Sequence, residues 1–472
     1  MHKHIFIKSL LIGMVMLVMA CQKDEQSFVY EKQNQVAIST SAIAFTVTQL
    51  DTLKVSPTLT ESSPSGEGFA YEWKMYLQGG PDTAKILSTE KDLKAKINVP
   101  PGSYSLRYKV TSKKTGIAAF NLYRVTVNGA FYQGWLVSNN KDGKARMSFI
   151  RTDDVVFAAP AESVNNTSYP GRAIAAYSGI DRDIALVLFF TDQGVYRFNA
   201  NDFTQNGNTA SLFPEGKQFS TLPVYGLNKL VSDQYIVSEG GLYASLGPFG
   251  YPGEVLKPFS ERFTGDYFLF PAIISSTQTS SYFYDNKGQR FMLAAYLDRA
   301  IVPATGSSTA SFDLGNVGKT MIACDYGVRT YANDEFYFVM QNNAGVRYLL
   351  SINGTVPGLN QLIGNSPDIA TATKFATSSV VKHLYYASGQ KIYLYDILAN
   401  SSRLVYTFPA DTKIADLKML RATSKRLVVA VNKGTAGEVY YFDLDNLGNA
   451  VGNTYVKKFE GFGEIVHLGY RN

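Results

Sequence analysis

Short apolar runs alternate with polar, glycine-bearing breaks through most of this chain, and between Trp135 and Asp443 the alternation recurs as a hairpin seven times. Each copy is an apolar strand, a tight turn, and a second strand rich in Tyr and Phe. The clearest is Leu384-Tyr385-Tyr386-Ala387-Ser388-Gly389-Gln390-Lys391-Ile392-Tyr393-Leu394-Tyr395-Asp396. Its siblings turn at Gly143, Gly194, Gly240, Gly288, Gly345 and Gly437. Glycine reaches positive φ at little cost, and an Asn or Asp beside it favours the same geometry. The spacing averages about 49 residues, the scale of a propeller blade. Residues 184–190 and 427–431 are apolar without a break, as strands covered on both faces are. Blades cannot bury their faces singly, so the ring must close, and 464–468 is expected to complete the first blade. Inserts at 201–221, 251–265 and 304–317 break the period. They are expected as loops on one face, where a rigid scaffold concentrates binding residues.

Residues 36–127 show a different rhythm, with short alternating strands and turn punctuation over about 90 residues, which predicts an immunoglobulin-like β-sandwich. Tyr71, Trp73 and Met75 fall on one face of a strand, and Tyr104, Leu106, Tyr108 and Val110 on one face of another. Asn128-Gly129 marks the boundary. The fold class is therefore all-β, a sandwich over 36–128 followed by a β-propeller over 129–472, expected to have seven blades. Good helical periodicity is absent.

Composition adds a compartment. Residues 1–20 carry Lys3 and Lys8 ahead of an apolar run from Leu10 to Ala20, the form of a secretory signal and too short to span a bilayer. Val18-Met19-Ala20-Cys21 follows and resembles the bacterial lipobox, in which the cysteine is acylated and becomes the new N-terminus. Lys23-Asp24-Glu25 resembles the signal that directs Bacteroidetes lipoproteins to the outer face of the outer membrane, and 21–35 reads as a polar tether. Removing Lys3 and Lys8 lowers the formal charge from +6 to +4, which argues against nucleic acid as a partner. Cys324 is the only other cysteine and is expected to be buried and structural.

Taken together, Cys21, Lys23-Asp24-Glu25, a sandwich carrying Trp73 and Pro101-Gly102-Ser103-Tyr104, and a propeller resemble the PKD-like lipoproteins of Bacteroidetes. That resemblance implies an accessory surface lipoprotein acting with a TonB-dependent transporter and a SusD-like partner in glycan or peptide import. It supplies no catalytic residues.

The chain is poor in catalytic patterns. His383 and His467 are the only histidines beyond the leader, no G-x-S-x-G elbow occurs, and both lie in apparent strands. Zinc, P-loop and dinucleotide patterns are absent, and no cofactor is expected. Asp443-Leu444-Asp445-Asn446-Leu447-Gly448 is superficially like a calcium loop, but it has Leu447 where an oxygen belongs and reads better as a polar turn. Asp153-Asp154 and Asp181 with Asp183 could supply carboxylate pairs for glycoside hydrolysis, though neighbours in sequence rarely span a cleft. Trp73 and Trp135 read as core. Phe203, Phe213, Tyr225, Phe249, Tyr251 and Phe263, in or near the inserts, are the candidates for exposed ligand-stacking rings. A binding role is thus favoured over its alternative, a polysaccharide hydrolase or lyase on the propeller.

Overall fold

The computed structural model describes residues 33–471, except 64–65, 67, 78–83, 182–183, 215–216, 218, 231–232, 247–257, 308 and 330–332. The leader, Cys21 and Lys23-Asp24-Glu25 lie outside the described residues, as do Asp183, Phe249 and Tyr251. The chain divides into two compact units between Val127 and Asn128.

The first unit is a sandwich. One sheet has five strands, in the order Ala44–Thr48, Ala118–Asn128, Gly102–Ser112, Phe69–Leu77 and Lys85–Ser88. Two pairs, Val36–Ser39 with Thr58–Glu61 and Thr52–Val55 with Leu93–Lys96, complete the architecture. Alternation puts Trp73, Met75, Leu106, Tyr108 and Val110 inside, as their spacing predicts. Trp73 stacks on Tyr108 with ring centroids 4.1 Å apart, and its indole Nε1–H donates to the Glu90 carbonyl at 3.1 Å. The indole is thus buried without stranding its donor.

Among the described residues the second unit shows seven sheets, and they follow the chain in order. Blades 2, 5, 6 and 7 are four-stranded antiparallel sheets, beginning at Ala173, Thr320, Lys374 and Lys413. Blades 3 and 4 show three regular strands each, beginning at Val224 and Ser280. In blade 4 the inner edge is irregular, and Leu269 and Ile274 form isolated bridges to Asp285 and Tyr282. Blade 1 takes its inner strand, Glu464–Arg471, from the far end of the chain; it pairs with Gly134–Lys141 in the register Trp135↔Tyr470 and Val137↔Leu468. The expected closure is present, and it extends through Arg471.

Apolar clusters explain the unbroken hydrophobic runs. Leu188 and Phe190, on the second strand of blade 2, point toward blade 3, while Val187 and Phe189 on the same strand point toward blade 1. A cluster of this kind lies between every consecutive pair of blades, including 7 and 1, where Trp135, Val137 and Ile150 meet Val428, Tyr441 and Phe459. Trp135 is core, as expected, with 4% of its surface exposed.

All seven repeated hairpins join the second and third strands of a blade. Two turns lie elsewhere than at the expected glycine: in blade 2 the turn is Asp192-Gln193, and Gly194 opens the third strand opposite Thr191. In blade 7 the two-residue turn is Gly434-Thr435, flanked by the pair Lys433↔Ala436, and Gly434 has φ of +59°. Gly437 is inside the third strand, where a Cβ would come within 2.2 Å of the Gly463 carbonyl oxygen. Two glycines three residues apart look alike in sequence, but one provides a turn and the other clearance.

The described parts of the inserts are not open loops. In 201–221 the chain forms the outer strand Gln205–Asn208 and a short helix, Thr209–Leu212. Within 251–265, Ser260 and Phe263 donate backbone hydrogen bonds to Ala244 and Leu242 on the edge of blade 3. Phe312, Leu314 and Val317 of 304–317 enter the core between blades 4 and 5. These segments therefore serve as irregular outer edges of their blades.

Candidate functional site

That outcome removes four expected ligand-stacking rings. Phe203 is fully buried and stacks on Phe131 at 4.4 Å with the planes 6° apart. Phe213 stacks on Phe259, and Phe263 lies in the core between blades 3 and 4. Tyr225 is buried, with its hydroxyl donating to Gln234 Oε1 at 2.9 Å. Each ring is packed into a core between neighbouring blades, so burial takes it from any ligand.

The carboxylate candidates are engaged locally. Asp153 accepts two 2.8 Å bonds from the Arg151 guanidinium, which holds its carboxyl below the usual value. Asp154 pairs with Lys457 at 3.1 Å, and Asp181 lies 3.7 Å from Arg197. Asp445 closes its own turn by accepting from the Leu447 and Asn449 backbone N–H groups, each at 2.9 Å, which is the polar-turn reading. Among the described residues no three His, Cys, Asp or Glu side chains converge as a metal site would require. Cys324, expected to be buried, is only half-buried on the inner strand of blade 5, and desolvation still pushes its thiol well above the ordinary value.

The structure offers a cleft instead, of about 730 Å³, where blades 7 and 1 meet. It lies among the strand 2–3 turns of both blades (Asn140 to Gly143, and Thr435-Ala436), the connection 461–464 that leads into the closing strand, and Arg172. Volumes of this order suit a small ligand. Lys141 Nζ donates to the Gly461 carbonyl at 2.7 Å, and Arg172 pairs with Glu464 at 3.0 Å across the mouths of two inner strands. Asn140 Oδ1 accepts from the Ala173 N–H at 2.8 Å, and Gly463 N–H donates to Asn139 Oδ1 at 3.0 Å. Gly463 allows backbone to meet backbone, since a Cβ there would sit 2.0 Å from the Asn140 carbonyl oxygen. Charges of both signs and polar backbone thus line a wall with little side-chain bulk. Phe462 is buried and offers no open ring face.

Further along the same inner strands, a polar group joins neighbouring blades. Asp416 of blade 7 accepts the Leu468 N–H of blade 1 at 2.8 Å, and His467 Nδ1 accepts the Ala176 N–H of blade 2 at 3.4 Å. Asp325 of blade 5 accepts the Thr377 N–H of blade 6 at 2.8 Å. In blades 1, 2, 5 and 7 the inner strand carries a bulge, at Val466, Ile174, Ile322 and Ala415, and bulges re-aim side chains near a sheet edge. Burial pushes the His467 imidazole down to about 3, against the opposing pull of Asp416. Burial alone would raise Asp416, but Lys418 at 3.6 Å, with Lys374 nearby and the Leu468 N–H, holds it below the usual value. The Tyr177 hydroxyl, whose ring lies 4.7 Å from that of His467, donates to the Pro223 carbonyl at 2.7 Å. Asp416, His467 and Tyr177 are thus each committed to a bond between blades.

Sequence reasoning missed Arg172, Lys141 and Glu464. The available signal was indirect: a closing strand beginning at Glu464 must place its first residue beside the Gly143 turn.

Residues 21–170 match the PKD-like family. No curated protein matches the chain at a significant level. Among solved structures, the chain is similar to a quinonprotein alcohol dehydrogenase-like protein from Bacteroides thetaiotaomicron, with TM-score 0.48 and 14% identity over 91% of this chain and 96% of that one. It is also similar to apo AztD from Citrobacter koseri, with TM-score 0.35 and 10% identity over 85% and 98% of the two chains. The WD40 domain of SCAP from fission yeast gives TM-score 0.32 and 10% identity over 61% and 74%. The family match and the seven successive sheets closed by Glu464–Arg471 give a PKD-like domain and a β-propeller.

Proposed function

We propose that this protein is a surface lipoprotein, acylated at Cys21 and directed outward by Lys23-Asp24-Glu25. In this reading it serves as a non-catalytic binding component of a TonB-dependent, SusCD-like import system for glycans or peptides. The supporting observation is the cleft at the junction of blades 7 and 1. Its Arg172–Glu464 pair, Lys141, Asp142 and polar backbone suit a ligand rich in hydroxyls or amides and of little net charge. Glycine walls let such a ligand approach the main chain closely.

The test is a detergent pull-down of the tagged, lipidated chain from its native membrane, with mass spectrometry of the proteins recovered. Co-recovery of a TonB-dependent transporter and a SusD-like protein supports the reading, and recovery of the chain alone counts against it. Where the cargo is thereby identified, Arg172→Ala with Glu464→Ala should weaken its binding about tenfold, as expected for losing one or two polar contacts. Unchanged affinity would move the ligand away from this cleft.

A further inference from the structure

The outer face of the five-stranded sheet differs from the rest of the surface. Alternation that sends Trp73, Leu106, Tyr108 and Tyr123 inward sends the intervening residues outward. Register aligns them in rows across the sheet: Glu72, Lys109 and Phe120; then Ile86, Lys74, Arg107 and Leu122; then Tyr76, Ser105 and Arg124. Four cations therefore share this face with one carboxylate, Glu72, which Arg107 already pairs at 2.6 Å. Lys74 and Arg107 also lie over the Tyr76 ring, at 5.3 and 5.6 Å. Between the charges stand large apolar side chains held in the open: Phe120 is 62% exposed, Leu122 64% and Ile86 55%. Lone exposed apolar residues are ordinary, but three in adjoining rows among cations are not.

We propose that this face rests on an anionic bilayer surface. Lipid phosphates would neutralise Lys74, Lys109, Arg107 and Arg124, while Phe120, Leu122 and Ile86 enter the boundary between headgroups and acyl chains. Basic side chains interleaved with aromatic and aliphatic ones suit that boundary, where rings and apolar stems sit beneath charged heads. The position of the face supports this occupant over another protein. The inference rests on the lipoprotein reading, because only 11 residues lie between Cys21 and Gln33, the first described residue. Fully extended they reach about 40 Å, so an acylated Cys21 would hold the sandwich within a domain's width of the membrane. At the effective concentration such a tether sets, even weak affinity suffices to lay the sheet down.

The experiment uses the chain from residue 21 onward with Cys21→Ser, so that no acyl group contributes. It is sedimented with phosphatidylcholine vesicles, with and without phosphatidylglycerol. Binding is expected only to the anionic vesicles and should weaken with added salt. It should fall by about fivefold for each basic residue removed in Lys109→Ala and Arg124→Ala. Phe120→Ser with Leu122→Ser should reduce it further, whereas Lys413→Ala with Lys425→Ala, on the propeller, should leave it unchanged. Five of the six residues are exposed and Lys109 is half-buried, so the variants should keep the wild-type unfolding temperature, and circular dichroism verifies this. Absence of vesicle binding, binding indifferent to Lys109 and Arg124, or self-association through this face would each overturn the proposal. Radiolabelled acyl incorporation at Cys21 in the native cell tests the anchor separately, so either reading can fail without the other.

Discussion

Gly434 and Gly437 show how much a single backbone position can carry. At Gly434 the cost of a side chain is conformational: φ is +59° and nothing lies within 4 Å of an added Cβ. Gly434→Ala should therefore cost about 1 kcal/mol in urea unfolding. At Gly437 the cost is steric, because the Cβ meets the Gly463 carbonyl and Ile465 at the junction of blades 7 and 1. Gly437→Ala should cost about 3 kcal/mol or more, and equal losses at both positions would contradict the assigned turn. The sequence shows two glycines at turn-like spacing, and only the register Lys433↔Ala436 tells them apart. His467 makes the complementary case in electrostatics. Its folded value, about 3, lies below its ordinary 6.5, so the unfolded chain binds the extra proton between those limits. This contribution to stability is complete above pH 6.5 and is lost as pH falls toward 3, with a slope of about 1.4 kcal/mol per pH unit at most. His467→Gln should flatten that slope in denaturant titrations between pH 4 and 7, and an unaltered slope would mean the imidazole is not held neutral.

At the scale of elements, strands and their pairing were legible because two periodicities coexist in the chain. Alternation in the sandwich placed Trp73 and Tyr108 correctly, and unbroken apolar runs in the propeller foretold second strands covered by blades on both sides. The inserts were misread for a physical reason. Phe203, Phe213 and Phe263 occur in segments whose Gly, Pro and polar residues signal a loop locally, yet each is buried against residues distant in sequence, as Phe203 is against Phe131 and Phe213 against Phe259. The cleft was hidden for the same reason, since its walls come from residues 140–143, 172, 435–436 and 461–464. The closing strand also gives a prediction at this scale. Arg471 is buried at its end, where Nε donates to the carbonyls of Phe131 and Ala200 at 2.8 and 3.0 Å, and Nη2 to Asn201 Oδ1 at 2.8 Å. Arg471→Met would keep the bulk and strand those acceptors, at a cost of about 3 kcal/mol. Thermal unfolding of the variant measures it.

For the molecule as a whole, two units with separate apolar cores should not melt together by necessity. Scanning calorimetry is expected to resolve two transitions, and Gly437→Ala should lower only the one belonging to the propeller. A single transition shifted as a unit by that substitution would show that the sandwich depends on the propeller for its stability. None of the described helices is long and apolar enough to cross a membrane.

The strand that completes blade 1 is made long after the strand it pairs with. Gly463 donates to Asn139 across 324 residues of sequence, so on a ribosome adding 5–20 residues per second the first blade waits roughly half a minute for its inner edge. Throughout that interval Gly134–Lys141 has an unpaired side, a template to which other nascent strands could add. Newly made chain is thus vulnerable until Glu464–Arg471 has emerged to pair with it. Translation products halted ahead of Gly463 should be held by chaperones or digested rapidly by protease, while products released only ten residues later should resist digestion.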